Sequence, residues 1–122
     1  MPISDAESRV MEVLWQQAPR SAEEVGLALQ PVEDWSLGTV KTLLSRLVKK
    51  GAVAAQPEGR RYLYRPLTSR DDYVLAESSG LLDRLFGGRV APLVAHFSER
   101  QRLADDDIDQ LRRLVEEWDR GR

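Results

Sequence analysis

Apolar residues recur along this chain first at helical spacing, then at alternate positions, then at helical spacing again. Ala6, Val10, Val13 and Leu14 share one face of a helix that runs up to Trp15. Ser4 followed three residues later by Glu7 is the capping-box pair that opens it. Pro19 breaks the chain, and Ser21 with Glu24 repeats the pair before Val25, Leu27, Ala28 and Leu29, which predicts a short second helix ending before Pro31. Ser36 caps a third helix to Lys50, with Leu37, Val40, Leu43, Leu44, Leu47 and Val48 as its apolar stripe and Gly51 as its stop. Opposite that stripe lie Thr39, Lys41, Thr42, Ser45, Arg46 and Lys49, a polar and cationic face without an acid.

After Gly51 the period becomes two. Residues 53–56 read as a strand, Pro57, Glu58 and Gly59 as a turn, and Tyr62, Leu63 and Tyr64 as the return strand, with Arg60 and Arg61 at the tip and Pro66 as the end. Helical spacing resumes at Ser69 and Asp72, through Tyr73, Val74, Leu75, Leu81, Leu82, Leu85 and Phe86 to the Gly87-Gly88 pair. Residues 90–97 form a short apolar helix. A last helix follows Asp105, Asp106 and Asp107, whose charges suit the positive end of its dipole, and carries Ile108, Leu111, Leu114, Val115 and Trp118 on one face.

Three helices followed by a two-stranded hairpin is the order of a winged helix-turn-helix. The predicted fold is therefore mainly α with a small β-hairpin: a winged helix domain over residues 1–68 and a three-helix dimerisation domain over residues 69–122. The C-terminal helices hold more apolar surface than so short a segment can hide within itself, and a two-fold contact between copies would cover it. Leu82, Leu85, Phe86, Leu93, Leu111, Leu114, Val115 and Trp118 are the residues expected at that contact. The other solution is that these helices pack on the N-terminal domain of a monomer.

The net charge of −2 changes meaning once it is divided along the chain. Residues 1–35 hold two basic and seven acidic side chains, residues 36–70 hold eight basic and one acidic, and residues 71–122 hold eight basic and twelve acidic. A basic middle between acidic flanks suits one polyanion-binding face. A helix that exposes short polar and cationic side chains can lie in the major groove, where threonine meets thymine methyls and lysine or arginine reaches guanine or phosphate. On this reading Ser36, Thr39, Lys41, Thr42 and Arg46 face one half-site of double-stranded DNA, and Arg60 and Arg61 grip the flanking backbone. A winged-helix adaptor that binds protein and no DNA is the alternative.

Several classes of chemistry are set aside. Without cysteines there are no disulfides and no thiolate metal sites, and His96 is the only histidine, so no metal, cofactor or catalytic triad is expected and the chain reads as a non-enzyme. The acidic residues 105–109 lack the glycine and terminal glutamate of a calcium loop, and Gly87-Gly88 lacks the strand context of a phosphate loop. With no signal peptide and no apolar run long enough to span a bilayer, the expected location is cytoplasmic, without membrane insertion.

Certain stretches point further. Glu7-x-x-Val10-Met11-x-x-Leu14-Trp15, the block Ser36-x-x-Thr39-Val40-Lys41-Thr42-Leu43-Leu44-x-Arg46-Leu47-x-Lys49-Lys50-Gly51, and Tyr62-Leu63-Tyr64 resemble the penicillinase repressor family. Phe86-Gly87-Gly88, the run Leu93 to Phe97, and Ile108-x-x-Leu111 extend the resemblance over nearly the whole chain. It implies a homodimeric repressor of beta-lactamase or related genes on a palindromic operator, released when a membrane sensor-protease signals and the repressor is cut. The family's cut precedes a phenylalanine in the short C-terminal helix, which places it at His96-Phe97 here; members cut in this way often carry asparagine where this chain has His96. The paired cysteines of the copper-responsive branch are missing. Gly38 stands where the family commonly has a polar residue.

Overall fold

The computed structural model describes residues 2–121, which form six helices and one hairpin: α1 (Asp5–Gln16), α2 (Ala22–Leu29), α3 (Leu37–Lys49), β1 (Val53–Glu58), β2 (Arg61–Pro66), α4 (Arg70–Phe86), α5 (Val90–Glu99) and α6 (Asp105–Arg120). They divide into two compact units, the first running to Leu75 and the second beginning at Ala76. The mainly α fold with one small antiparallel sheet is the one the hydrophobic pattern predicts.

Each N-terminal helix begins where its cap places it. Ser4 and Glu7 form a complete capping box at α1, as do Ser21 and Glu24 at α2. Ser36 Oγ accepts from the Thr39 N–H at 3.2 Å to start α3. The caps satisfy amides that the helices themselves leave without carbonyl partners. At the other end of α3, Gly51 takes a φ of +77°, which L side chains adopt reluctantly. That conformation lets the Gly51 N–H reach the Val48 carbonyl at 3.0 Å and the Ala52 N–H reach the Leu47 carbonyl at 3.0 Å, closing the helix in a Schellman motif.

Val10, Met11 and Leu14 of α1, Val25 and Leu29 of α2, Val40, Leu43, Leu44 and Leu47 of α3, and Val53 of β1 make one buried cluster. Of the predicted α3 stripe, only the central four residues are enclosed; Leu37 and Val48, at its edges, are 40% and 38% exposed. The hairpin turn is also tighter than its composition suggests. Pro57 pairs with Tyr62 and Glu58 with Arg61, so the loop is only Gly59 and Arg60. Gly59 has a φ of +62° at the first central position, the position where a two-residue hairpin turn often calls for glycine.

The first turns of α4 belong to the N-terminal unit. Trp15 Nε1 donates to the Thr68 carbonyl at 2.8 Å, the Trp15 and Tyr73 rings lie 5.2 Å apart, and Arg70 Nε meets Glu12 Oε1 at 3.0 Å. Ser69 caps α4 through the Asp72 N–H at 3.1 Å.

The second unit is built differently. Among its described residues no side chain is fully buried, and Leu85, Val90, Phe97, Ile108, Leu114, Val115 and Trp118 are each between 42% and 64% exposed. Inside the unit the Phe86 and His96 rings lie 6.2 Å apart.

A buried ion pair fixes the C-terminal end of α3. Lys50 Nζ donates to Glu7 Oε1 at 2.7 Å and to the Pro2 carbonyl at 2.8 Å, while the Glu7 side chain is only 3% exposed. Burial pushes the Glu7 carboxyl up, but hydrogen bonds from Lys50 and Ser4 outweigh it and hold the group below its ordinary value of 4.5. Lys50→Met is expected to destabilise the N-terminal unit by about 3 kcal/mol, because it strands a buried carboxylate; the check is the midpoint of urea unfolding at neutral pH. The depressed folded value also sets a sign. Stabilisation from Glu7 is complete above the ordinary carboxylate range and is lost as the pH falls through the folded value. Glu7→Gln should therefore flatten the acid limb of the stability curve, and an unchanged limb would contradict the assignment.

Candidate nucleic-acid interface

α3 presents two faces of opposite character. Val40, Leu43, Leu44 and Leu47 are buried, while Ser36, Thr39, Lys41, Thr42, Ser45, Arg46 and Lys49 are all exposed. The spacing produces this directly, since residues three and four apart share a helix face. A shallow concavity over Lys41, Thr42, Ser45, Arg46 and Lys49 continues to one over Ser36, Gly38, Thr39 and Thr42. All three lysines of the chain lie in α3 or at its C-cap, Lys50. Two of them, Lys41 and Lys49, are exposed, and the third is Lys50, held by Glu7.

The wing adjoins this face. Lys41 and Ser45 of α3 line one groove with Ala22, Glu23, Arg60, Arg61, Tyr62 and Tyr64. The structure thus brings Lys41, Arg60 and Arg61 to a common groove, and Thr39, Thr42 and Arg46 with Ser36 to the adjoining one. Backbone pairing holds the wing there: the Arg20 N–H donates to the Tyr64 carbonyl at 3.1 Å, and the Tyr64 N–H donates to the Arg20 carbonyl at 2.8 Å. Nothing in the side-chain pattern announces this bridge, because Arg20 follows Pro19 in a connection with no alternation to read.

Two acids at the start of α2 temper the cationic groove. Glu23 lines it, and Glu24 Oε1 lies 3.9 Å from Arg61 Nη1, an exposed pair with little energetic weight of its own. The Glu24 carboxyl is lowered, first by the Ser21 backbone and hydroxyl hydrogen bonds and then, more weakly, by Arg61 and Arg20. Tyr64 is shifted the other way, raised by burial and then by Tyr62 and Glu23. The sequence pattern marks Tyr62 and Tyr64 as strand residues and Glu24 as a capping residue; their place beside Arg60 and Arg61 follows only once β1 and β2 pair.

Two further groups of predicted residues lie in the second unit. Leu82, Phe86, Leu93 and Leu111 are half-buried, whereas Leu85, Leu114, Val115 and Trp118 are 60% exposed or more. His96 and Phe97 sit inside α5, both exposed, with their carbonyls accepting from the Arg100 and Arg102 N–H groups. Among the described residues no cluster of three or more histidine, cysteine, aspartate or glutamate side chains could hold a metal ion, and no helix is long and apolar enough to cross a membrane.

The geometry agrees with comparisons to known proteins. The penicillinase repressor family profile matches residues 3–117. The chain belongs to the penicillinase repressor family. It is 36% identical to the penicillinase repressor of Bacillus licheniformis over 115 residues, covering 94% of this chain and 90% of that protein. It is 31% identical to the methicillin resistance regulatory protein MecI of Staphylococcus aureus strain N315 over 113 residues, covering 93% and 92%. Among solved structures, the DNA-binding domain of the repressor BlaI matches 58% of this chain and 87% of its own, at 42% identity and a TM-score of 0.53. The Bacillus licheniformis BlaI monomeric form in complex with the blaP half-operator matches 60% and 89%, at 41% identity and a TM-score of 0.51. A mutant of MarR from E. coli matches 94% of this chain at 21% identity and a TM-score of 0.54, a likeness of fold alone. The winged helix reading of the N-terminal elements is thereby established for this penicillinase repressor-family chain.

The start of α3 hangs on Ser36, whose hydroxyl holds both the Thr39 amide and the Thr39 hydroxyl. Ser36→Ala is expected to cost about 1 kcal/mol, the usual weight of a serine cap, and to speed hydrogen exchange at the amides of residues 37–39 while leaving those of 43–47 protected.

Proposed function

We propose that this chain is a transcriptional repressor that binds a palindromic double-stranded DNA operator as a homodimer and controls beta-lactamase or related genes. The observation that carries the reading is the segregation of α3: four leucine and valine side chains enclosed on one side, and hydroxyls and cations without an acid exposed on the other. In this role Thr39, Lys41, Thr42 and Arg46 meet the major groove, Ser36 orients the helix start, and Arg60 and Arg61 neutralise flanking phosphates. Membership of a family whose relatives are named as repressors supports it, as does a BlaI structure solved on a half-operator, where the complex holds a single repressor on half a site.

Pairing through the second unit supplies the other half-site. The exposed apolar side chains of α4, α5 and α6 suit a self-complementary contact, and two linked contacts hold far more tightly than one. A cut at His96-Phe97 by a membrane sensor-protease would then release the operator by dividing the unit that links the protomers. The absence of fully buried side chains there supports easy local opening of α5, which a protease needs to draw the bond into an extended strand.

Two measurements test this. Lys41→Ala and Arg61→Ala should each weaken binding to operator DNA and flatten the dependence of log K on log salt by about one unit, whereas Lys50→Met, whose charge is already committed to Glu7, should leave that slope unchanged. Unaltered binding in gel shift for both alanine variants would refute the DNA face. A chain ending at His96 should be monomeric in light scattering and bind a full operator little better than a half-site; retained dimerisation would refute release by cleavage.

A further inference from the structure

The first turn of α3 contains a glycine that the fold does not ask for. Gly38 has no left-handed φ, and a Cβ built on it meets nothing closer than Ser36 Oγ at 3.8 Å, an ordinary contact. Alanine would fit without strain and would favour the helix, since glycine is among the poorest helix formers. The molecule's own packing thus gives no reason for the missing side chain. Gly38 is exposed and lines a shallow concavity together with Thr39, Thr42 and Arg46.

The threonine hydroxyls that line it are each engaged once by their own helix. Thr42 Oγ1 donates to the Gly38 carbonyl at 3.0 Å, so its proton is spent within the helix. The Thr39 hydroxyl shares a hydrogen bond of 3.1 Å with Ser36 Oγ, which also accepts from the Thr39 amide. With each hydroxyl already engaged once within the helix, the threonines offer a ligand a methyl group beside an oxygen that can still accept. A concavity lined by two threonines, a glycine without a side chain and an arginine has room for one feature of the major groove: the C5-methyl of thymine, the apolar marker that distinguishes this base from the rest.

We propose that Gly38 is a specificity-determining residue, and that the notch it leaves with Thr39 and Thr42 receives a thymine methyl in each half-site. The proposal rests on the DNA reading above and adds to it a base, a contact and a reason for the glycine.

The experiment uses the full chain and half-site duplexes that it selects from a randomised DNA pool. Each thymine of the selected sequence is replaced in turn by deoxyuridine, which removes the methyl and keeps the base pair. One position should then weaken binding by about threefold to fivefold, the weight of one buried methyl group. Gly38→Ala should raise the melting temperature by a few degrees, weaken the thymine duplex by about tenfold, and abolish the thymine-to-uracil difference at that position. Thr42→Ser, which keeps the hydroxyl and removes the methyl, should shrink the same difference while binding the uracil duplex as the wild type does. Gly38→Ala binding the thymine duplex as tightly as the wild type, or a thymine-to-uracil ratio that neither variant changes, would overturn the proposal while leaving the DNA reading intact. Failure of the wild-type chain to select any sequence would overturn both.

Discussion

Burial of Val40, Leu43, Leu44 and Leu47 against α1, α2 and β1 determines what the other side of α3 can be. A helix this short has little stability of its own, and its direction comes from packing and from what holds its two ends. Removing one of these leucines would cost about 2–5 kcal/mol in a well-packed site, a large part of a small domain's stability. With that stripe enclosed, Lys41, Ser45, Arg46 and Lys49 have nowhere to point except outward. The ends are held as firmly: Ser36 gathers the first turn, and Lys50, at the C-cap, bonds Glu7 and the carbonyl of Pro2. The reading face is thus rigid at both ends, which base recognition requires of any helix laid in a groove.

The wing depends on the same frame. β1 leaves α3 through the Schellman turn at Gly51, so the position of the hairpin follows from the end of the helix. β2 is then clasped from its other edge by Arg20, which places Tyr64 beside α2 and Arg61 near Glu24. The acids of α2 make the cationic groove less uniform than α3 alone implies. Glu23 lines the groove and Glu24 lies 3.9 Å from Arg61, so the positive surface is interrupted at the start of α2.

Local signals carried most of this architecture in the sequence. Ser4 with Glu7, Ser21 with Glu24, Ser36 and Gly51 mark helix ends through chemistry that acts over three or four residues, and each marks the observed end. Alternation around Ala54 and Tyr62 marks the hairpin for the same reason. What was hidden acts across long separations. Glu7 and Lys50 are 43 residues apart, and Arg20 meets Tyr64 through backbone atoms that leave no mark on composition. Leu37 and Val48 fit a helical stripe yet lie at its rim, since periodicity gives a direction and not the width of the surface that covers it. The C-terminal helices have the opposite character: their apolar pattern is plain, yet among the described residues of that unit none is fully buried.

The chain's three lysines lie in α3 or at its C-cap, so their reactivity reports on whether this helix meets DNA. Amine acetylation of the full chain, read site by site by mass spectrometry with and without selected operator duplex, separates these three side chains from the terminal amine. Lys41 and Lys49 should react freely in the absence of DNA and be protected in its presence, while Lys50, enclosed with Glu7, should react slowly in both. Equal labelling of Lys41 and Lys49 with and without bound duplex would contradict the account.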